Sequence, residues 1–233
     1  MSEEDFDVNS LATYLHLTPA QVEKMASRDQ LPGRRIGGQW RFSKNEIHHW
    51  FEERIGLSDE NELEAVEKVL DSDQRDASES LGNLLEPTAI WIPLQARTRN
   101  SVISQMCSSA ADAGLVWDAG KMESAIKTRE NLHPTALENG VAMLHPRRPQ
   151  PNNIREAFVG LGLTSNGLPF GGPRGVLTDV FFLIASTDEK GHLQTLARLS
   201  RLIAVPEFLP ALRDCTNDQQ AWELVRDTDL TMA

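Results

Sequence analysis

Apolar residues recur at helical spacing in two short stretches near the start of the chain. The apolar positions are Leu11, Ala12, Tyr14, Leu15, Val22 and Met25. Asp7 or Asn9 can cap the first helix, and Thr18 with Gln21 forms a capping box around Pro19 at the first helical position. Because only two residues separate the predicted helices, the pattern is typical of a helix-turn-helix unit.

A β-hairpin and a third helix are predicted directly after this unit. Residues 34–36 and 39–42 are predicted to form two short strands around a Gly37-Gly38 turn, which together make a small wing. Ser43 and Glu46 form a second capping box. The apolar positions that follow it are Ile47, Trp50 and Phe51. The pattern therefore predicts a winged helix-turn-helix domain over residues 1–55.

The pattern changes from Leu84 onward, where short apolar runs alternate with stretches of helical periodicity. Such alternation is typical of an α/β domain with buried strands. The predicted strands are residues 89–94, 140–144, 158–163 and 179–185. The predicted helices are residues 101–113, residues 122–128, a stretch that begins at His192, and residues 218–226. We therefore predict an α/β domain over residues 84–233.

Residues 56–83 form a linker between the two predicted domains and are rich in Asp, Glu and Ser. Part of the linker can form an amphipathic helix, because its apolar residues have helical spacing. These residues are Leu63, Val66, Val69 and Leu70. Such a helix would pack on a domain or on a second chain. The alternative is a solvated acidic segment.

Composition is that of an ordinary globular protein. Hydrophobic residues make up 40% of the 233 residues and charged residues 24%. No apolar run approaches the roughly 18 residues of a membrane-spanning helix, and the acidic start is unlike a signal peptide. We therefore expect a cytoplasmic protein without membrane contact. Cys107 and Cys215 have neither CxxC nor His/Cys ligand spacing, so no metal site is predicted.

Charge is unevenly distributed along the chain. The formal net charge of −11 argues against nucleic-acid binding, because phosphates repel an acidic surface. Residues 24–44 nevertheless form a basic patch in which Asp29 is the only acidic residue. Its cations are Lys24, Arg28, Arg34, Arg35, Arg41 and Lys44. This patch makes DNA a candidate partner of the first domain.

Residues 11–54, from LATYLHLTPAQ to HHWFEER, resemble the excisionase-like, MerR-related winged helix-turn-helix family. In that family the second helix enters the major groove and the wing holds backbone phosphates. The resemblance implies base contacts by Thr18, Gln21, Lys24 and Arg28. It implies phosphate contacts by Arg34, Arg35 and Arg41, and guanidinium groups on a rigid hairpin suit that role. The alternative is that the arginines only solubilise a winged fold used for protein contacts.

Two of the six histidines lie where chemistry could use them. His145 follows the predicted strand 140–144 and precedes Pro146, so we expect its imidazole at a strand end near the surface. His192 is expected at a helix start, where backbone N–H groups favour an anion. By spacing alone, both are more simply explained as structural histidines.

Residues 127–147 (KTRENLHPTALENGVAMLHPR) and 179–203 resemble the mannitol/fructose-type IIA components of the phosphotransferase system. The stand-alone branch of that family is the nitrogen-regulatory type, and the likeness covers about residues 84–230. It implies an α/β fold with a mixed sheet flanked by helices. It also implies that His145 is phosphorylated, with His192 and Arg129 holding the phosphoryl group and Thr135 supplying a hydroxyl.

The same resemblance implies the reaction partners. The phosphoryl donor would be the phosphohistidine of an HPr-like phosphocarrier protein, so neither a metal nor another cofactor is required. Leu144 replaces the proline that usually precedes the phosphorylated histidine, and His133-Pro134 replaces the usual Gly-Ser before Thr135. These differences bear on transfer rate and loop shape. The glycine-rich residues 166–175 lack the context of a nucleotide loop, and we expect a turn near the active site.

Together these features predict a signal-responsive transcription regulator that acts as a phosphocarrier rather than a turnover enzyme. Phosphorylation of His145 would change the assembly or orientation of the DNA-binding module, with the linker helix as carrier. One alternative is a phosphocarrier for a sugar-transport system. The other is an interaction protein that is not phosphorylated. The sequence leaves a homo-oligomer, the DNA target and the sign of regulation open.

Overall fold

The computed structural model of the chain describes residues 5–15, 17–44, 46–47, 50 and 80–232. The chain divides into two compact units, residues 1–74 and 75–233. The predicted linker helix and Phe51 lie outside the described residues. Within the described ranges, no helix is both long and apolar enough to cross a membrane.

The first unit contains two helices and a three-stranded antiparallel sheet. Its elements are β1 (Asp5–Phe6), α1 (Val8–Tyr14), α2 (Pro19–Ala26), β2 (Arg34–Ile36) and β3 (Gln39–Ser43). The strand order is β1-β3-β2, and residues 44, 46, 47 and 50 are again helical. The short strand β1 was not predicted, because two residues carry no periodicity.

Local signals account for the helix starts and the hairpin of this unit. Asp7 accepts a hydrogen bond from the Ser10 N–H at 2.8 Å, and Thr18 caps α2 with Gln21 as predicted. Gly37 and Gly38 have φ of 60° and 83°, the left-handed conformations that a two-residue hairpin turn requires. We call β2, this turn and β3 the wing.

The second unit is a four-stranded mixed sheet with helices. Its helices are α3 (Leu81–Leu84), α4 (Arg99–Asp112), α5 (Ala119–Leu132), α6 (Glu189–Ala204), α7 (Phe208–Arg213) and α8 (Asp218–Thr231). Its strands are β4 (Ile90–Trp91), β5 (Val141–Leu144), β6 (Phe158–Pro169) and β7 (Leu177–Ala185). The strand order is β4-β6-β7-β5. The β5–β7 and β4–β6 pairs are parallel and the β6–β7 pair is antiparallel.

Burial of strands β5 and β7 explains their continuous apolar sequence. Val141–Leu144 pair in register with Val180–Leu183, and all eight residues are buried. Helix α6 contributes an apolar face to the same core. Its fully or nearly fully buried residues include Leu193, Leu196, Leu199 and Leu202, and burying one such side chain contributes about 1.5–3 kcal/mol.

Several predicted boundaries were wrong, for identifiable reasons. Strand β4 is shorter than 89–94, because Pro87 begins a 3₁₀ turn and Pro93 has no N–H to donate. Strand β6 continues to Pro169 beyond a register shift between Leu163 and Leu168. Helix α7 was not predicted, since it is short and contains Pro210.

Candidate functional site

The predicted active-site residues of the second unit converge beyond the end of β5. His145 follows Leu144, the last residue of that strand, and Arg129 comes from the last turn of α5. The Arg129 Nε–H donates to His145 Nε2 at 3.2 Å. The ring of His192, the fourth residue of α6, lies 5.0 Å from the His145 ring between centroids. We call these three residues the His145 site.

The His145 site is buried. His145 is 2% exposed, Arg129 5% and His192 6%. The expectation of an imidazole near the surface was therefore wrong, because the side chains from α5 and α6 pack against the ring. Leu144 is also fully buried and pairs with Leu183 on β7.

The hydrogen bonds of His145 define its tautomer. Nδ1 lies 2.9 Å from the carbonyl oxygen of Met143, which can only accept. Nδ1 therefore carries the ring proton and Nε2 carries the lone pair that accepts from Arg129. The nitrogen with the free electron pair faces a guanidinium group, which is the arrangement expected for a nucleophile that gains an anionic substituent.

The backbone of His133 helps to orient Arg129. Arg129 Nη1 donates a hydrogen bond to the His133 carbonyl oxygen at 2.8 Å. The His133 side chain is exposed. Replacement of the family's usual glycine at this position therefore leaves the contact with Arg129 intact, because only the main chain makes it.

Thr135 contacts a buried carboxylate that the sequence analysis did not identify. Its hydroxyl donates to Glu130 Oε1, and its N–H lies 3.2 Å from the same oxygen. The hydroxyl proton is engaged by Glu130 in this structure, and a contact of Thr135 with a phosphoryl group stays a prediction. Thr135 ties its loop to α5, and its carbonyl accepts from Met143 N–H at 3.4 Å next to the site.

Glu130 is 1% exposed and is neutralised by Arg99. Arg99 Nη2 lies 3.1 Å from Glu130 Oε2 and also donates to the Glu130 carbonyl. The guanidinium carbon of Arg99 lies 5.7 Å from the centroid of the buried Phe170 ring. The only sequence signal for Glu130 is its position next to Arg129. Its burial was not expected, because a carboxylate in the last turn of a helix is ordinarily exposed.

The start of α6 differs from the prediction. The helix begins at Glu189, and its cap Asp188 accepts from the Gly191 N–H at 2.9 Å. The His192 N–H already bonds to the Asp188 carbonyl at 3.2 Å. The predicted helix start at His192 was therefore wrong by three residues. That the N-terminus of this helix favours an anion stays a prediction. Ser186 Oγ lies 3.5 Å from His192 Nδ1 and contributes to the ring's orientation.

The glycine-rich residues 166–175 form the end of β6 and most of its connection to β7. Gly171 has φ of 98°, and a Cβ there would lie 2.9 Å from the ring atoms of Pro134. The loop therefore packs against the segment that carries His133 and Thr135. The predicted turn near the active site is confirmed.

The cysteines are not activated. Burial raises the pKa of the Cys107 thiol to about 12, and burial also raises the pKa of Cys215. Both remain neutral thiols at physiological pH and are poor nucleophiles. Among the described residues, no group of three or more His, Cys, Asp or Glu side chains is placed to hold a metal ion.

The predicted DNA-contacting residues of the first unit lie on α2 and just beside it, and on the wing. Thr18 is the N-cap of α2, and Arg28 lies in the turn that follows the helix. Lys24, Arg28, Arg34 and Arg35 are exposed, and Arg41 is half-buried. The wing arginines make supporting contacts: Arg34 pairs with Glu46, Arg35 lies 5.0 Å from the Trp40 ring centroid, and Arg41 Nη2 bonds Gln39 Oε1 at 3.3 Å.

Thr18 and Gln21 are engaged differently from the other predicted DNA contacts. Their side chains bond each other at 2.8 Å in the capping box of α2. The Gln21 side-chain oxygen is the acceptor, so its amide NH₂ remains the group that can reach outward.

Two family models match the chain. The model described as "Phosphoenolpyruvate-dependent sugar phosphotransferase system, EIIA 2" matches residues 83–228, which is more than half of the chain. A helix-turn-helix domain model matches residues 6–55. Both parts of the resemblance found in the sequence are thereby confirmed.

Individual relatives support the same assignment. The PTS system fructose-specific EIIABC component of Bacillus subtilis (strain 168) is 25% identical over 148 residues, 63% of this chain and 23% of the relative. The chain therefore spans less than a quarter of that relative's length.

Solved structures share the fold of the second unit. Nitrogen regulatory protein IIA-Ntr from Neisseria meningitidis aligns with a TM-score of 0.52 and 17% identity, over 62% of this chain and 97% of that one. The complex of mannitol enzyme IIA with phosphorylated enzyme IIB from Escherichia coli aligns with a TM-score of 0.53 and 19% identity. The alignment covers 62% of this chain and 99% of that one. The predicted IIA-like mixed sheet is thus confirmed.

Proposed function

The chain belongs to the EIIA type 2 family of the phosphoenolpyruvate-dependent sugar phosphotransferase system, and we propose that it is a phosphorylation-dependent regulator of the nitrogen-regulatory type. His145 accepts a phosphoryl group from an HPr-like phosphocarrier, and the first unit binds DNA. The contact between Arg129 and His145 Nε2 is the observation that carries the first part of this proposal.

Phosphoryl transfer follows from the tautomer of His145. The Nε2 lone pair attacks the phosphorus, the new N–P bond forms, and the N–P bond to the donor's histidine breaks. No base is needed, because Nε2 carries no proton. Arg129 releases Nε2 and binds the phosphoryl oxygens, with His192 beside them. Since the site is buried, the docking partner must open it, and the product is then shielded from water.

The proposed DNA binding rests on the cations of α2, of the turn that follows it and of the wing. We assign phosphate contacts to Arg34, Arg35 and Arg41, which the hairpin holds in fixed positions. We assign base-side contacts to Lys24, to Arg28 in the turn after α2 and to the amide of Gln21. Thr18, the N-cap of α2, is the fourth residue that we assign to this side.

Coupling between the two activities would run through the linker. We assign residues 1–55 to the DNA-binding domain, 56–83 to the linker and 84–233 to the IIA domain. A phosphoryl group on His145 shifts DNA binding only if the two states make different contacts elsewhere in the protein or its oligomer.

A labelling experiment tests the phosphoryl acceptor. Purified full chain is incubated with enzyme I, HPr and radiolabelled phosphoenolpyruvate. We expect one acid-labile label that the His145→Ala variant loses and the His133→Ala variant keeps, because His133 serves through its main chain. Absence of label on the wild type, or equal labelling of His145→Ala, contradicts the proposal and favours an interaction protein that is not phosphorylated.

A phosphocarrier for sugar transport is the second candidate. Its support is the relative named as a fructose-specific component and the homologous fold in complex with a phosphorylated IIB enzyme. Transfer of label from the phosphorylated chain to an isolated IIB domain would favour this candidate. Retention of the label on His145 favours regulation.

Retention of a labelled duplex tests DNA binding by the full chain. We expect retention that weakens steeply with salt, since phosphate contacts release counterions. If no duplex is retained at low salt, the winged domain is a protein-docking module instead.

A further inference from the structure

A groove of 590 Å³ lies between helix α5 and the loop that follows His145. One wall is the exposed side of α5, including Lys121 and Thr128, and the other is the loop from Pro146 to Asn153. The His145 chemistry described above does not use this groove, although Pro146 adjoins His145 in the chain.

The groove is cationic. The charged residues that line it are Lys121, Arg147 and Arg148, and all three are exposed. The chain as a whole has a formal net charge of −11. A cluster of cations against this background concentrates a positive potential that attracts an acidic partner.

Exposed apolar residues lie at both ends of helix α5, which forms one wall of the groove. Leu132 is 63% exposed and lies one helical turn beyond Thr128 on the same face of α5. Trp117 is also 63% exposed, and its main-chain N–H donates to the main-chain carbonyl of the groove residue Asn153 at 2.9 Å. The neighbouring carboxylate of Asp118 is engaged as the cap of α5, where it accepts from the Lys121 N–H.

We propose that this groove docks an acidic segment of a partner protein whose apolar side chains cover Trp117 and Leu132. Cations between two apolar anchors suit an amphipathic peptide better than a nucleic acid, because a phosphate backbone offers nothing to bury these anchors. The binding of such a segment does not require that His145 is phosphorylated. A segment bound in the groove would lie against the loop attached to His145, so docking and phosphorylation can influence each other.

Fluorescence anisotropy of the full chain with a designed peptide tests this inference. The peptide is 14 residues long, which is the length of α5. It carries Glu and Asp at its central positions and Leu at both ends. Removal of the groove cations (Lys121→Gln with Arg147→Gln and Arg148→Gln) is expected to weaken binding about tenfold, as expected for several exposed ion pairs. Trp117→Ser with Leu132→Ser is expected to weaken it similarly.

The matched control removes the same charge elsewhere on the second unit. Arg97→Gln with Arg155→Gln and Arg174→Gln is expected to bind the peptide like the wild type, and thermal unfolding verifies that every variant is folded. The proposal is overturned if the wild type does not bind the peptide at physiological salt, or if the control weakens binding as much as the groove variant. It is equally overturned if duplex DNA of equal charge displaces the peptide more effectively than unlabelled peptide does.

Discussion

Arginine is the common element of the His145 site and the wing, but it works in opposite surroundings. Arg129 is 5% exposed and donates to one ring nitrogen and one carbonyl oxygen, at 3.2 and 2.8 Å. Arg34 and Arg35 are exposed and rest on Glu46 and Trp40. A buried guanidinium has a single geometry, so its function depends on the position of each N–H. Exposed guanidinium groups contribute mainly their positive charge. The contributions of several such groups add up, and salt screens them.

The largest expected effect is on phosphoryl transfer and tests whether the buried His145 site depends on the geometry of Arg129. Arg129→Lys keeps the charge but loses the Nε–H that contacts His145 and the planar fork. We expect single-turnover phosphoryl transfer to fall about 10²–10³-fold, the usual cost of a lost donor to developing negative charge. His133→Ala is the control and should transfer at nearly the wild-type rate. A fully active Lys variant would show that charge alone suffices in the buried site.

The next effect concerns stability beneath the His145 site. Glu130→Ala leaves Arg99 and Thr135 without their buried acceptor, and we expect the free energy of unfolding to fall by about 3 kcal/mol. Chemical denaturation measures this loss. Glu123→Ala on the same helix removes a partly exposed pair with Lys127 at 2.5 Å and should cost less than about 0.5 kcal/mol. Equal losses would refute the special role of Glu130.

On the wing, substitution of arginine by lysine is expected to have little effect, in contrast to the same change at Arg129. Lysine at Arg34, Arg35 and Arg41 together should preserve most of the DNA affinity, because the charges remain. Glutamine at the same positions should lower affinity about tenfold and reduce the salt slope by roughly three, one per lost phosphate contact. Filter binding at several salt concentrations distinguishes these cases. A lysine variant as weak as the glutamine variant would indicate geometric recognition on the wing too.

The smallest expected effect separates capping from DNA contact on α2. Thr18→Ala removes the cap and should lower the free energy of unfolding of the first unit by about 1 kcal/mol. Thr18→Ser should restore both stability and DNA affinity. Thr13→Ala is the control, since its hydroxyl bonds only to the Asn9 carbonyl within α1. If Thr18→Ser stays stable but loses DNA affinity, the threonine methyl contacts a base directly.

Features with local causes were readable from the sequence. The cap at Thr18, the Gly37-Gly38 turn and the apolar strand 140–144 depend on neighbours within a few residues, and each was predicted close to its observed position. Helix α7 and the cap at Asp188 were missed, because Pro210 obscures a helix and an acidic loop residue gives a weak capping signal. The resemblance to the IIA family identified His145, His192 and Arg129, which spacing alone could not.

The sequence by itself determined the two-part organisation and the winged module, because motifs and periodicity are local. Its resemblance to the IIA family indicated the candidate phosphoryl acceptor. The tertiary structure decided that Arg129 bonds Nε2 of His145, that the ring is buried, and that the Thr135 hydroxyl bonds the buried Glu130. These contacts join α5, β5 and α6, whose proximity depends on the sheet order and on the packing of helices against it. Side-chain partners brought together by a fold cannot be deduced from their separation along the chain.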